Sequence, residues 1–233
     1  MAKKSLAMKI ENVSMKFNLS SEKVDNIKEY VIKMIKKELM FQEFWALRDI
    51  SFEVQKGDRV GIMGLNGAGK STLLKVISGV LKATQGTVTT NGKIAPLLEL
   101  GAGFDRQYTG AENIYLYGAM LGYSKEFLEA RYDEIVEFSE LGSFIDVPVK
   151  NYSSGMNAKL GFSVATVVEP DILILDEPMN GLDRDGVNEI RQLLLKLKEQ
   201  GKTILFASHN KEDIEVLCDE VFEMEHGKLQ QIR

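Results

Sequence analysis

The chain has 233 residues, 44% apolar and 27% charged, with a formal net charge of −5; that length predicts one domain with an elaboration and enough apolar residues for a core. The negative balance excludes a global field that would gather nucleic acid. A single cysteine, Cys218, excludes an internal disulfide framework and fits a reducing compartment. No run reaches the roughly 18 apolar residues of a membrane span, and Met1-Ala2-Lys3-Lys4-Ser5 lacks the apolar stretch that would follow in a signal peptide.

In chain order, residues 8–15 and 46–54 read as short strands, the second closed by the turn Lys56-Gly57-Asp58. Between them, over about 18–43, Val24, Ile27, Val31, Ile35 and Leu39 recur at three- and four-residue steps, accompanied by Lys28, Lys33, Lys36 and Lys37. That pattern predicts an inserted basic amphipathic helix capped by Ser20 or Ser21. Val60 to Met63 reads as a short buried strand, followed by a glycine-rich loop and a helix over Ser71 to Leu81. Residues 105–168 are richer in helical patterns and read as an inserted helical lobe. Asp171 to Leu175 suits a strand buried on both faces. Val187, Ile190, Leu193, Leu194 and Leu197 mark a helix that Gly201 ends, and Thr203 to Ala207 is the next buried strand. Strand, helix, strand in this order predicts an α/β fold with a largely parallel sheet. One domain results, with 1–104 and 169–233 as its core.

Gly64-Leu65-Asn66-Gly67-Ala68-Gly69-Lys70-Ser71 fits G-x-x-x-x-G-K-[ST] and lies between a strand and a helix, the context the motif requires. Its glycines let backbone N–H groups approach phosphate oxygens, and the helix start adds positive partial charge. Lys70 would reach the outer phosphates, and the Ser71 hydroxyl would ligate Mg²⁺, with Thr72 following in the nucleotide-binding turn. A bare flexible turn explains neither the lysine nor the flanking elements.

Ile172 to Leu175 is an apolar strand ending in Asp176-Glu177. Asp176 is placed to hold Mg²⁺, and Glu177 to take a proton from attacking water. His209, in Ser208-His209-Asn210, follows another apolar strand at the sheet edge where ligands gather. His226 sits in a turn beside Gly227 and receives no role.

Together these pieces resemble the ATP-binding cassette (ABC) ATPases over nearly the whole chain. They stand in the family's order: phosphate loop, signature, acidic strand, Asn180-Gly181-Leu182-Asp183 as the D-loop, and Ser208-His209 as the switch histidine. The resemblance implies a P-loop NTPase (RecA-like) core with a largely parallel sheet, N-terminal antiparallel strands and an inserted helical lobe. It implies ATP and Mg²⁺ as ligands and two cassettes that sandwich two ATPs head to tail.

Where the family has Leu-Ser-Gly-Gly-Gln, this chain has Tyr152-Ser153-Ser154-Gly155-Met156. Ser153 and Gly155 keep the positions that face the γ-phosphate of the partner's ATP, while Ser154 replaces a glycine and Met156 the glutamine. In physical terms Ser153 is an N-cap at a helix start suited to an anion. With both half-sites intact, a symmetric homodimer is the simplest arrangement. The family also has a glutamine between the phosphate loop and the lobe, yet none occurs in Ile94 to Phe104. Glu99 is the best stand-in as a metal contact and Gln107 the runner-up. For the aromatic that stacks on adenine, counting from the N-terminus gives Phe17 and counting back from Ala46-Leu47-Arg48-Asp49 gives Phe41. We take Phe17; Trp45 reads as core.

The signature, the run Leu97 to Phe104 and Thr109-Gly110-Ala111-Glu112-Asn113 resemble those of ABC-2 type exporters of polysaccharide and teichoic acid. The basic helix falls where those exporters carry one near the membrane. Such a cassette is implied to work at the cytoplasmic face of the membrane, with separately encoded permease subunits and no nucleic acid. The D-loop region and Ser208 to Ile214 look more like general ABC-2 drug or peptide exporters, and no carbohydrate-binding domain is expected after Arg233. A soluble ATP switch is a further alternative that the missing glutamine suggests.

Overall fold

The computed structural model describes residues 5–20, 41–98, 103–167 and 169–233. The helix expected over 18–43 falls chiefly on 21–40 and so lies outside the described residues, as does Glu99.

The N-terminal strands are longer than their apolar alternation implied: β1 spans Leu6–Ser20 and β2 Phe41–Gln55. They pair antiparallel, and β4 (Gln85–Thr90) adds to the other edge of β1. Inward residues such as Met8, Ile10, Val13 and Val54 are buried. The alternation fails where the ribbon kinks, at register shifts around Asn12 and Asp49. Both of these have positive φ, and the Asn12 side-chain amide donates to Asp49 Oδ1 at 2.9 Å. Past the kink the ribbon carries polar and aromatic residues, pairing Phe17 with Phe44 and reaching Ser20 opposite Phe41.

The second sheet has six strands in the order β5-β6-β7-β3-β8-β9. They are β3 (Arg59–Met63), β5 (Ile94–Leu97), β6 (Ile172–Asp176), β7 (Thr203–Ser208), β8 (Glu220–Glu225) and β9 (Lys228–Gln231). Pairings from β5 through β8 are parallel, and β9 closes the edge antiparallel to β8. Strand β6 shows why the middle is buried twice. Leu173 and Leu175 enter the core on one face, while Ile172 and Ile174 enter the core on the other, with β1, β2 and the helix after the glycine loop.

That helix, α1, spans Lys70–Ile77 and ends a turn earlier than its apolar pattern suggested. Ser78 closes it on the Leu74 carbonyl, and Gly79 at φ +78° takes the chain out of the helix. Helices α2 (Gly110–Met120), α3 (Lys125–Ala130), α4 (Tyr132–Ser139) and α5 (Ser154–Val167) follow between β5 and β6. Thr109 and Glu112 form a reciprocal capping box at the start of α2. The fully buried Asn113 holds the preceding turn: its side chain accepts from Asp105 N–H and donates to the carbonyls of Asp105, Tyr108 and Thr109. Helix α6 (Arg184–Glu199) buries Ile190, Leu193, Leu194 and Leu197 as its spacing predicts, and α7 (Lys211–Leu217) precedes β8. Cys218 is buried at the end of α7, and burial pushes its thiol up to about 12. Among the described residues no helix is long and apolar enough to cross a membrane.

Candidate nucleotide site

Three parallel strands deliver the chemistry to one edge of the sheet. The glycine loop leaves β3, Asp176 and Glu177 end β6, and Ser208-His209 end β7. The loop is pressed against the β8–β9 turn and β2. Gly227 N–H donates to the Ala68 carbonyl at 3.0 Å, and Arg48 N–H to the Gly227 carbonyl at 2.8 Å. A Cβ at Gly64 would overlap the Met224 carbonyl oxygen, so only glycine fits there. Gly69 caps α1 with no side chain to bond the first-turn amides, which leaves them available to an anion.

Lys70 is 5% exposed and folds over its own loop. Its Nζ donates to the carbonyls of Gly64 (2.7 Å) and Leu65 (3.2 Å) and pairs with Glu177 Oε1 at 3.2 Å. The other Glu177 oxygen, Oε2, accepts from His209 Nδ1 at 2.8 Å, which fixes the proton on that nitrogen when the ring is neutral. Glu177 has φ 48°, a left-handed conformation that costs ~1–3 kcal/mol for such a residue, and its N–H donates to Ala207 O at 2.9 Å. The turn thus aims consecutive carboxylates in different directions.

Asp176 lies nearer α1. Burial raises its carboxyl above the ordinary carboxylate range, while a hydrogen bond from Ser71 and the charges of Lys70 and Lys75 act against that rise. Its Oδ1 is buried without a hydrogen-bond donor. An unpaired carboxylate oxygen beside a serine hydroxyl is a donor set that suits Mg²⁺, which takes hard oxygens and keeps several waters. The residues present fit that ion.

Two cavities meet at this edge. One, of about 340 Å³, runs from the loop along the β1–β2 ribbon and is lined by Phe17, Phe44, Asn66, Lys70, Ser71 and Thr72, among others. Phe17 therefore does lie beside the loop, while Trp45 meets the Lys16 ammonium instead. Phe44, 49% exposed and opposite Phe17 in register, is an aromatic that sequence counting missed. Only the cross-strand register identifies it. The other cavity, about 520 Å³, lies between α1, β6 and the start of α5; Ser71, Lys75, Ser154, Asn157, Asp176 and Asn180 contribute to its wall. Asn180 opens the run read as the D-loop, whereas Asn157 and Lys75 carried no motif signal. Gln107 does not line this cavity, and its side-chain oxygen accepts from Lys150 Nζ at 3.2 Å.

The signature residues stand at the head of α5. Ser153 Oγ accepts from Met156 N–H at 3.2 Å, so the serine caps the helix and keeps its own proton for another acceptor. Ser153 and Ser154 are exposed. Gly155 is buried, facing Gly186 of α6, where an added Cβ would lie 3.5 Å from the Gly186 Cα. Asp183 caps α6 through Gly186 N–H at 2.8 Å. The structure thus places Ser153 and Asp183 at two adjacent helix starts, outside the wall of either cavity.

With this geometry in place, comparison with known proteins is decisive. The family model described as ABC transporter matches residues 47–180. The chain belongs to the ABC transporter family. It is an ATP-binding and ATP-hydrolysing cassette. The O-antigen export system ATP-binding protein RfbB of Klebsiella pneumoniae is 49% identical over 191 residues, covering 82% of the cassette and 78% of that protein. The teichoic acids export ATP-binding protein TagH of Enterococcus faecalis is 42% identical over 226 residues, covering 97% of the cassette and 50% of its relative. The cassette thus spans half the length of that second protein. Among solved structures, a dimeric bacterial ABC transporter cassette, MJ0796, superposes with a TM-score of 0.76 at 23% identity, over 97% of this chain and 99% of that one. At that identity the likeness speaks for the fold.

Proposed function

We propose that the cassette powers an ABC-2 type exporter of a lipid-linked polysaccharide or teichoic acid. The observation that carries the ATPase chemistry is the line Lys70–Glu177–His209, assembled from three neighbouring strands beside a glycine loop. In our reading Gly64 to Ser71 and Thr72 bind the triphosphate, and Phe17 takes the base. Lys70 exchanges the Gly64 and Leu65 carbonyls and Glu177 for phosphate oxygens. Glu177, released from the ammonium, accepts the proton of the attacking water, and the Nδ1–H of His209 holds the carboxylate in place. Ser71 and Asp176 would hold Mg²⁺, which when bound neutralises charge on the phosphates.

We read 1–104 and 169–233 as ATPase core and 105–168 as a helical lobe. Ser153, Ser154 and Gly155 with Asp183 would complete the partner's nucleotide site in a homodimer. The permease subunits would be separate chains, and the dimer would sit beneath them at the cytoplasmic face of the membrane. Support for the cargo comes from the relatives named above, two export ATP-binding proteins matched across most of this chain.

The decisive experiment is genetic and biochemical together. Purified cassette should release phosphate from MgATP, and deletion of its gene should make lipid-linked polymer accumulate inside the cell. Normal polymer export with lost resistance to a drug or peptide would favour a general ABC-2 exporter instead.

A further inference from the structure

Three residues lining the 520 Å³ cavity carry a buried side-chain oxygen with no hydrogen-bond donor, and only Glu177 has an ion pair to offset it, through Lys70. Asp176 Oδ1 and Asn157 Oδ1 are both buried, and neither has a hydrogen-bond donor. Buried acceptors left unpaired are costly and therefore rare. Two of them around one polar cavity call for a ligand that brings donors to both. Ser71, whose hydroxyl acts to lower the Asp176 carboxyl, lines the same space. A hydrated divalent cation meets the requirement, because its retained waters are strong donors and its direct protein contacts are few.

We propose that Asn157 is a positioning residue for the hydrated cation, its carboxamide oxygen accepting from a water of that ion in the same chain. The proposal rests on the reading of Ser71 and Asp176 given above. The carboxamide oxygen comes from the first turn of α5, the helix capped by Ser153. A purely structural role is a poor alternative, because no side-chain bond of Asn157 to another described residue exists for it to maintain.

Mn²⁺ binding to the full chain in the presence of ADP, read by electron paramagnetic resonance, tests this directly. Asn157→Leu and Asn157→Ala should each weaken Mn²⁺ binding by about 10–100-fold, the usual effect of an outer-sphere partner. Asn157→Asp, which keeps an oxygen there, should bind the ion at least as well as wild type. Metal-free ADP affinity and the denaturation midpoint should stay unchanged in the Ala variant. Mn²⁺ affinity within twofold of wild type in both Leu and Ala variants overturns the proposal, as does an Asp variant as weak as Leu. Asp176→Asn separates the two levels. If it loses the ion while the Asn157 variants keep it, only this proposal fails; if it also keeps the ion, the reading of Asp176 falls too.

Discussion

Lys70 and Glu177 stand 3.2 Å apart, with the lysine also bonded to two carbonyls of its own loop and the glutamate to His209. In this arrangement the two groups assigned to phosphate binding and to proton transfer occupy one another. Glu177→Gln should therefore leave ATP affinity intact, since it removes a competitor for the ammonium. Turnover should fall by ~10²–10⁴-fold. Steady-state phosphate release alongside equilibrium ATP binding checks this, and wild-type turnover would refute the assignment of the base.

Lys70→Ala tests the other end of the pair. Removing the only cation of the loop should weaken ATP binding by at least about tenfold, or ~1.4 kcal/mol. A titration with a fluorescent ATP analogue reads this. Unchanged affinity would mean that the triphosphate lies elsewhere.

The aromatic pair on the ribbon makes a separable prediction. Stacking on a base contributes ~1–3 kcal/mol, so Phe17→Ala should weaken ATP by roughly 5–150-fold and leave inorganic triphosphate binding unchanged. Phe44→Ala tells which ring is used. Loss confined to that variant would transfer the base contact from Phe17 to its cross-strand partner.

Asn113 supplies a stability prediction away from the site. Replacing it with Leu strips three carbonyls and one N–H of the 105–109 turn of their partner. Destabilisation of ~2–4 kcal/mol is expected, with unsatisfied groups at ~1–3 kcal/mol each and partial rescue by water. Urea denaturation measures it.

Cys218 should be inert. With its thiol pushed up to about 12, the fraction present as thiolate at pH 8 is far below that of a free cysteine. A disulfide reagent at pH 8 should label the chain only after denaturant is added, and prompt labelling of the folded protein would contradict the burial.

The sequence made the central strands and the phosphate loop legible because each is encoded locally. A fully apolar run such as Ile172 to Leu175 can be only a buried element, and G-x-x-x-x-G-K-S carries its geometry in its glycines. Strand β4 stayed hidden because Gln85–Thr90 is polar and mostly exposed, its existence resting on pairing with β1 rather than on burial. Strand β5 is four residues long and contains Pro96, too short to show a period. Phe44 and Asn157 escaped for a related reason: each reaches the site through long-range register or helix packing, which no local spacing records. Phe17 was legible only as one of two counts, and the register decides that it borders the loop.

The contact between Gly155 and Gly186 has a mechanical consequence. A Cβ built on Gly155 would meet the Gly186 Cα at 3.5 Å, an ordinary van der Waals contact, so a methyl group would just fill the space between the two helix starts. The Ser153 and Asp183 ends of the cassette are thus close neighbours, and a side chain larger than methyl at Gly155 would wedge the two helix starts apart.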